Sequence, residues 1–260
     1  MHLKTLLLAV AAIAALGAAS AQACERSCGN VSIVFPFGEG MKCSHGGKFL
    51  VNCDRSSEKP TLYFGAEKKA SSVVISNIST IKGEVEVMLS VAHDCYDNSS
   101  VRVSRYRQNF KSGGFQISAK NKFVAIGCDT YAYFSVASGN DSHGTGCIST
   151  CDKNSPFTNG SCTGVGCCEV AVPEGLKVND MSRTTLSSFN NHTGITDFNP
   201  CSYAFFVEQE KFNFSTTDLI DFGSVKEMPM LLDWSIGALN CNMVNKEADD
   251  FLCKGNSCWI

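Results

Sequence analysis

Fifteen cysteines constrain this chain of 260 residues more than any other feature, and none of them lies in residues 1–23. That first stretch resembles a secretory signal peptide, because Lys4 precedes an apolar run over residues 6–17 and Ala21-Gln22-Ala23 fits the small-x-small rule of signal peptidase. The run is short for a membrane span, so we expect cleavage rather than an uncleaved anchor. Residues 24–260 are then a secreted chain without a membrane span, in the extracellular space or cell wall.

Secretion indicates how the cysteines are used. In an oxidising compartment they pair as disulfides, each contributing about 2–4 kcal/mol to stability. The Cys24-x3-Cys28 spacing also resembles a zinc-ligand pair, but zinc sites usually show tighter, repeated spacing. We therefore expect disulfides, with no metal and no other cofactor. Adjacent Cys167 and Cys168 should bond to different partners, since neighbouring residues bridge each other only with strain.

The surface is predicted to be glycosylated and not basic overall. The formal net charge is −3, which excludes a general cationic attraction to nucleic acid. Seven Asn-x-Ser/Thr sequons follow the leader, and in a secreted chain they predict N-linked glycans along its whole length. Their asparagines are Asn30, Asn77, Asn98, Asn140, Asn159, Asn191 and Asn213.

Hydrophobic periodicity predicts a mostly β, disulfide-rich fold. Apolar residues alternate with other side chains over Val85–Val91, as in a half-buried strand. Helical signals are limited to a capping box at Ser215–Asp218 and a short pattern at Asn242–Phe251. We expect two β-rich subdomains with few short helices, divided in the turn-rich stretch Ser138–Thr145. The predicted strands are Val31–Phe37, Thr61–Phe64, Ser72–Ile75, Val85–Val91, Val101–Tyr106, Phe115–Ser118, Lys122–Ile126, Tyr131–Val136 and Tyr203–Glu208.

Several sequence blocks, in a fixed order, carry a family resemblance. Cys28-Gly29-Asn30 is followed by Pro36-Phe37-Gly38, and this opening resembles the galacturonan-binding domain of plant wall-associated receptor-like kinases. Val34, Phe35 and Glu39 depart mildly from the family pattern. Later blocks that also resemble the family are Gly47–Cys53, Asn121–Asp129, Gly146–Cys151, Asn159–Cys168 and Met228–Ile236.

The resemblance implies a domain organisation. After the signal peptide at 1–23, the resemblance and the turn-rich stretch together predict a galacturonan-binding-like β domain at 24–137 and a cysteine-rich second β domain at 138–240. Residues 241–260 resemble the truncated start of an epidermal-growth-factor-like module. Family members usually continue into further such modules, a membrane span and a kinase, which this sequence lacks. We therefore carry over no signalling activity.

The C-terminal spacing Cys241-x11-Cys253-x4-Cys258 resembles the first three cysteines of an epidermal-growth-factor-like module, and this resemblance implies a disulfide pattern. In epidermal-growth-factor-like modules the first cysteine bonds to the third and the second to the fourth. Cys241 should then bond to Cys258, with Cys253 unpaired, and the other 12 cysteines should form six bridges.

Catalytic motifs are missing from the sequence. It contains no G-x-S-x-G, no H-E-x-x-H and no phosphate-binding loop. His45, His93, His143 and His192 lie in turn-like polar surroundings, and we expect all four at the surface. The chain is therefore predicted not to be an enzyme.

One segment has the charge expected of a polyanion-binding site. No acidic residue occurs between Asp97 and Asp129, whereas arginines, lysines and aromatic residues alternate there. Arginine grips carboxylates bidentately, and aromatic faces pack on sugar C–H groups. Parity on one strand places Arg105 and Arg107 on the same face, and we expect that replacing both weakens binding without unfolding the protein. The candidate ligand-binding residues are Arg102, Arg105, Tyr106, Arg107, Lys111, Lys120 and Lys122, with Phe110 and Phe115 interleaved.

Other aromatic residues are assigned to the core. Phe35, Phe37 and Trp234 are expected to pack inside, because phenylalanine is mainly a core residue and Trp234 lies in an apolar run. The sequence as a whole predicts a secreted, non-catalytic protein that binds cell-wall polysaccharide, with pectic galacturonan or its oligomers as ligand. The alternative is a receptor-ectodomain fragment that recognises a peptide or protein, or a soluble competitor of a full-length receptor.

Overall fold

The computed structural model describes residues 24–69, 72–111, 113–138, 141–174, 176 and 181–236, and two short strands at 252–254 and 257–259. The one α-helix of this part, α1, is the single turn Asp218–Asp221, and 3-10 turns lie at Gly47–Phe49, Gln209–Lys211 and Phe222–Ser224. The mostly β fold is thereby confirmed. The strands are β1 (Ser27–Cys28), β2 (Val31–Ser32), β3 (Gly38–Glu39), β4 (Leu50–Asp54), β5 (Thr61–Phe64), β6 (Val74–Ser79), β7 (Glu84–Ser90), β8 (Ala92–Tyr96), β9 (Arg102–Tyr106), β10 (Asn109–Phe110), β11 (Gln116–Ile117), β12 (Asn121–Ile126), β13 (Thr130–Ser138), β14 (Asp141–Ser149), β15 (Cys167–Ala171), β16 (Met181–Ser188), β17 (Cys201–Glu208), β18 (Glu227–Asp233), β19 (Leu252–Lys254) and β20 (Ser257–Trp259).

Most strands belong to three sheets. A seven-stranded sheet has the order β11-β18-β7-β6-β5-β4-β3, a five-stranded sheet the order β15-β12-β17-β8-β9, and a four-stranded sheet the order β10-β16-β13-β14. Strands from residues 24–137 and from residues 138–240 are hydrogen-bonded to each other in all three sheets. The stretch Ser138–Thr145, where the boundary is expected, contains the last residue of β13 and the first five residues of β14, and these two strands pair with each other in one sheet.

Strand β7 shows why the alternation in the sequence produces this core. Val85, Val87 and Leu89 are buried, whereas Glu86 and Ser90 are only half-buried. One face of the strand therefore packs inward, as the period of two predicts. The apolar faces of the three sheets meet in one core, and the opposite face of the five-stranded sheet is covered by residues 212–222.

The predicted strand Val31–Phe37 is too long, because the chain turns after Ser32. The backbone N–H of Phe37 donates to the carbonyl of Val34 at 2.9 Å, which closes a tight turn. Phe37 is buried, but Phe35 at the turn is 53% exposed, so the expectation that both rings pack inside is wrong for Phe35.

Trp234 is buried, as expected. Its ring centroid lies 5.4 Å from that of Phe37 and 5.8 Å from that of Phe49, both in edge-to-face geometry. Edge-to-face packing of this kind adds to the free energy gained by burial. Trp234 is therefore a packing residue, which links the end of β18 to the beginning of β4.

The predicted capping box is half formed at the single-turn helix. The backbone N–H of Ser215 donates to Oδ2 of Asp218 at 2.8 Å, and burial raises the pKa of the Asp218 carboxyl. The second predicted helix, Asn242–Phe251, lies outside the described residues. No helix within the described ranges is long and apolar enough to cross a membrane.

Six disulfides join the 12 cysteines between Cys24 and Cys201, which confirms the expected use of these residues. Cys167 and Cys168 bond to different partners, as predicted. Cys241 lies outside the described residues, while Cys253 and Cys258 occupy opposite positions on β19 and β20, so the C-terminal pairing stays a prediction. The six bridges are Cys24–Cys43, Cys28–Cys53, Cys95–Cys201, Cys128–Cys151, Cys147–Cys168 and Cys162–Cys167.

Candidate functional site

Two of the predicted cations meet on a buried carboxylate. Asp94 on β8 has no solvent exposure, and Nε of Arg102 lies 2.6 Å from its Oδ1. Nε of Arg105 lies 3.9 Å from Oδ2, and the hydroxyl of Tyr96 donates to the same oxygen at 3.0 Å. A buried carboxylate needs such partners because removing its charge from water is costly. Arg102 and Arg105 therefore have a structural task before any ligand arrives.

A β-bulge explains how both arginines reach Asp94. The register between β8 and β9 pairs Cys95 with Ser104 but Tyr96 with Arg102, so one residue of β9 is extra. The bulge shifts Arg102 to the side that Arg105 already occupies, although strict alternation places them on opposite faces. Arg105 also donates from Nη2 to the carbonyl of Leu186 at 2.9 Å.

Arg107 differs from its neighbours, since it follows the last residue of β9 and is exposed. Arg105 therefore has contacts that its replacement removes, whereas Arg107 is exposed, and the expectation that replacing both weakens binding without unfolding the protein stays a prediction.

The other predicted cations lie in separate environments. Lys122 forms an ion pair with Glu169 at 2.9 Å, and its side chain is only 15% exposed. Lys120 pairs with Glu84, and exposed Lys111 lines a small groove beside Phe64. The structure thus brings together Arg102 and Arg105, but it does not bring the six cations onto one face.

The aromatic residues of the same segment also separate. Phe110 and Phe115 are buried and belong to the core. Tyr106 is 41% exposed, and its ring stacks on His93 at 6.1 Å between centroids. These two rings line a groove of about 500 Å³ with Lys226. Burial lowers the pKa of His93, so the imidazole in this groove favours the neutral form.

A larger groove of about 770 Å³, which we call the lysine groove, lies at the end of the seven-stranded sheet. Three lysines line it, each from a different turn. Lys82 lies in the turn between β6 and β7, and Lys48 lies in the 3-10 turn before β4. Lys120 lies in the turn between β11 and β12. Three carboxylates share the lining with these lysines. They belong to Glu84, Glu174 and Asp233.

The charges of the lysine groove are fixed by local contacts. The hydrogen bond from Lys120 to Glu84 raises the pKa of the lysine, which keeps it protonated. Nζ of Lys48 donates to the carbonyl of Ser235 at 3.5 Å and lies 4.9 Å from the centre of the Phe115 ring. Burial raises the pKa of Asp233, so this carboxylate takes up a proton before an ordinary aspartate does. The groove therefore becomes more cationic as the pH falls.

His192 is fully buried, so the expectation of a surface position is wrong for this histidine. Its Nδ1 lies 2.6 Å from the carbonyl oxygen of Asn199 and its Nε2 lies 2.8 Å from Oγ of Ser202. Its ring stacks on Tyr96 at 5.0 Å, and burial lowers its pKa. A histidine and serine in hydrogen-bond contact are a catalytic arrangement only where substrate can reach them, and both side chains are sealed from solvent here.

The other three histidines in the described part of the chain are less buried than His192. His45 and His143 are exposed, and His93 is half-buried. Within the described residues, no three His, Cys, Asp or Glu side chains are grouped so that they could hold a metal ion. No pattern in the sequence indicates the burial of His192, because its neighbours are turn residues of the Asn191 sequon.

Six of the seven sequon asparagines lie in the described part of the chain, and all six are exposed. Asn140 lies outside it. Exposure is what a glycan needs, because the sugar must extend into solvent.

Comparisons with known proteins show which family this sequence resembles. Residues 24–89 match the family model described as wall-associated receptor kinase galacturonan-binding. Over 90% of its length the chain is 36% identical to wall-associated receptor kinase 2 and 33% identical to wall-associated receptor kinase 1, both of Arabidopsis thaliana. It spans about 30% of the length of each of these relatives. No solved structure matches the chain.

Proposed function

Because the chain resembles the ectodomains of wall-associated receptor kinases over 90% of its length, we propose that it is a non-catalytic binder of cell-wall polysaccharide, with pectic galacturonan as ligand. The observation that carries the proposal is the match of residues 24–89 to the galacturonan-binding family. On this proposal the mature protein is a secreted glycoprotein of the extracellular space or cell wall.

We place the ligand in the lysine groove. Lys48, Lys82 and Glu84 come from the matched segment, and Lys120 comes from the acid-free segment, so the groove joins the two parts of the sequence that suggest polyanion binding. Its volume of about 770 Å³ is in the range of ordinary ligand sites. Arg102 and Arg105 contribute little to this site, since they neutralise Asp94 instead.

The ion pair between Lys120 and Glu84 sets how a galacturonate binds. A sugar carboxylate that approaches Lys120 competes with Glu84, whereas one that approaches exposed Lys82 adds a new ion pair. Each exposed pair contributes only about 0–1 kcal/mol, so affinity comes from several pairs along a repeating ligand. Binding should therefore weaken steeply with salt, as the Debye length falls from about 10 Å at 0.1 M to about 3 Å at 1 M.

Retention on beads of de-esterified pectin tests the proposal. We expect the mature protein to be retained at low salt and to be released by salt or by free oligogalacturonide. Beads of a neutral glucan serve as the control and should retain little. Passage through the pectin beads at low salt would contradict the proposal.

A peptide or protein partner is the second candidate, and the edge strand β9 favours it. This strand pairs with β8 at one edge of the five-stranded sheet, where Val103 is 62% exposed and Val101, just before the strand, is 58% exposed. An edge strand of this kind can accept an extended peptide by backbone hydrogen bonds. A protein that ignores pectin but captures a peptide in a manner sensitive to Val103→Lys would support this candidate.

A further inference from the structure

An aromatic patch covers part of the outer face of the four-stranded sheet. Its members are Tyr131, Tyr133, Ile148 and Phe189, and the last three are 42%, 58% and 55% exposed. The rings of Tyr131 and Phe189 lie 5.5 Å apart. A cluster of large apolar side chains on a solvent-exposed face normally marks a site where another molecule or group makes contact.

The strand register explains why the patch is open. Alternation on β13 directs Ala132 and Phe134 into the core and leaves Tyr131 and Tyr133 outside. Tyr133 pairs across the sheet with Gly146, which has no side chain to cover its ring. A Cβ at Gly146 would lie 2.2 Å from the carbonyl oxygen of Ala132, so the close approach of the strands requires glycine there.

The sequon asparagine Asn191 follows Phe189 by two residues, in the segment Phe189-Asn190-Asn191-His192-Thr193. This segment is held in place on both sides of Asn191. The side chain of Asn190 donates to Asp129 at 2.7 Å, and buried His192 contacts Asn199 and Ser202. Asn191 itself has a φ of 56° and is exposed. A fixed turn thus keeps the backbone of the asparagine near that of Phe189, since the Cα atoms of residues two positions apart are at most about 7 Å from each other.

We propose that the N-linked glycan of Asn191 folds back over Phe189 and shields the aromatic patch, its first sugar stacking a C–H face on the ring. In the modification, Nδ2 of Asn191 bonds to C1 of an oligosaccharide carried on a lipid diphosphate. The lipid diphosphate leaves, and the amide loses one proton. The inference rests on the secreted glycoprotein of the proposed function, but it does not depend on pectin binding.

A second sequon in the chain has the same spacing and provides a contrast. Phe157 precedes Asn159 by two residues, but Phe157 is half-buried, contacts the apolar cluster beneath residues 212–222, and lies 6.3 Å from Phe198. Its ring is already packed against protein. At Asn213 the residue two positions earlier is exposed Lys211, which offers no ring at all. A glycan that stabilises the fold through an aromatic contact is therefore expected at Asn191 and not at Asn213.

The test is a double-mutant cycle on full-length protein secreted from a eukaryotic host. Peptide mass analysis should find Asn191 glycosylated. We expect Asn191→Gln to lower the thermal midpoint by about 2–4 °C and to increase binding of an apolar dye, because the patch is uncovered. In the Phe189→Ser background the same substitution should shift the midpoint by a clearly smaller amount, the remainder being the cost of placing Gln at a φ of 56°. Asn213→Gln should shift the midpoint by less than about 1 °C in either background.

Two results would overturn the inference. One is an unmodified Asn191 in the secreted protein, and the other is an equal shift for Asn191→Gln with and without the Phe189 ring. Neither result bears on retention by pectin beads, which is measured separately, so failure of the glycan contact and failure of the proposed function can be distinguished. Phe189→Ser itself should fold, since the ring is 55% exposed.

Discussion

Arg102 holds the buried carboxylate of Asp94 through its Nε, 2.6 Å from Oδ1, and through Nη2, 3.2 Å from Oδ2. This two-point contact joins β9 to β8 at the edge of the five-stranded sheet. It converts a residue that the sequence suggested for ligand binding into one that stabilises the fold.

Arg102→Ala should therefore destabilise the protein, because it leaves Asp94 buried with only part of its charge compensated. Breaking a buried ion pair costs about 3–5 kcal/mol, and we expect about 2 kcal/mol here, since Arg105 remains nearby. Urea unfolding measures the change. Arg107→Ala is the matched control and should change stability by less than about 0.5 kcal/mol, since Arg107 is exposed. Equal stability of the two variants would contradict the structural role of Arg102.

His192 should make stability depend on pH. Burial depresses its pKa in the folded state below the value of about 6.5 that an unfolded chain has. The unfolded state then binds more protons, so this contribution to stability is present above about pH 6.5 and is lost as the pH falls through the folded pKa. Urea midpoints between pH 7.5 and pH 5 should fall more steeply for the wild type than for His192→Gln. The same slope for both proteins would show that His192 does not contribute.

Asp233 should make ligand binding stronger at mildly acidic pH. Because burial raises its pKa, it loses its negative charge before the galacturonate does, whose carboxyl is an ordinary acid. The affinity for oligogalacturonide should rise as the pH falls from neutral through the raised pKa of Asp233, and Asp233→Asn should flatten this rise. Exposed Asp221→Asn is the control and should leave the pH dependence as it is. A rise that persists undiminished in Asp233→Asn would contradict this assignment.

The C-terminal cysteines offer a covalent test of the family resemblance. We expect peptide mapping under non-reducing conditions to find Cys241 bonded to Cys258 and a thiol at Cys253. The six bridges of the described region should appear in the same map. A peptide that contains Cys253 bonded to any other cysteine would refute this pairing.

Many of the strands could be predicted from the sequence, because a β-strand with one buried face shows alternating apolar and polar residues. The prediction Thr61–Phe64 coincides with β5, and Val85–Val91 is displaced by one residue from β7. Which strands are neighbours was not accessible, since β18 pairs with β7 across more than a hundred residues. Local patterns do not encode such pairings, and this is why the expected subdomains turned out to share their sheets.

The candidate site was less accessible, for two physical reasons. Alternation fails at a bulge, and one extra residue in β9 brought Arg102 to the same carboxylate as Arg105. A count of charges along the sequence also cannot show which cations form ion pairs in the fold. Lys120 and Lys122 were therefore predicted to bind ligand, although each forms an ion pair with a glutamate distant in sequence. The groove that combines Lys48, Lys82 and Lys120 could not be seen until the fold placed three separate turns together.

A binding titration with oligogalacturonide tests the central claim, galacturonan binding in the lysine groove, most directly. The double variant Lys82→Ala/Lys120→Ala should bind about fivefold more weakly than the wild type, since the ion pair to exposed Lys82 contributes at most about 1 kcal/mol and Lys120 is shared with Glu84. The matched control, Lys59→Ala/Lys153→Ala, removes two exposed lysines from outside the groove and should keep the wild-type affinity. Undiminished affinity of the groove variant, or an equal loss in both double variants, would contradict the account.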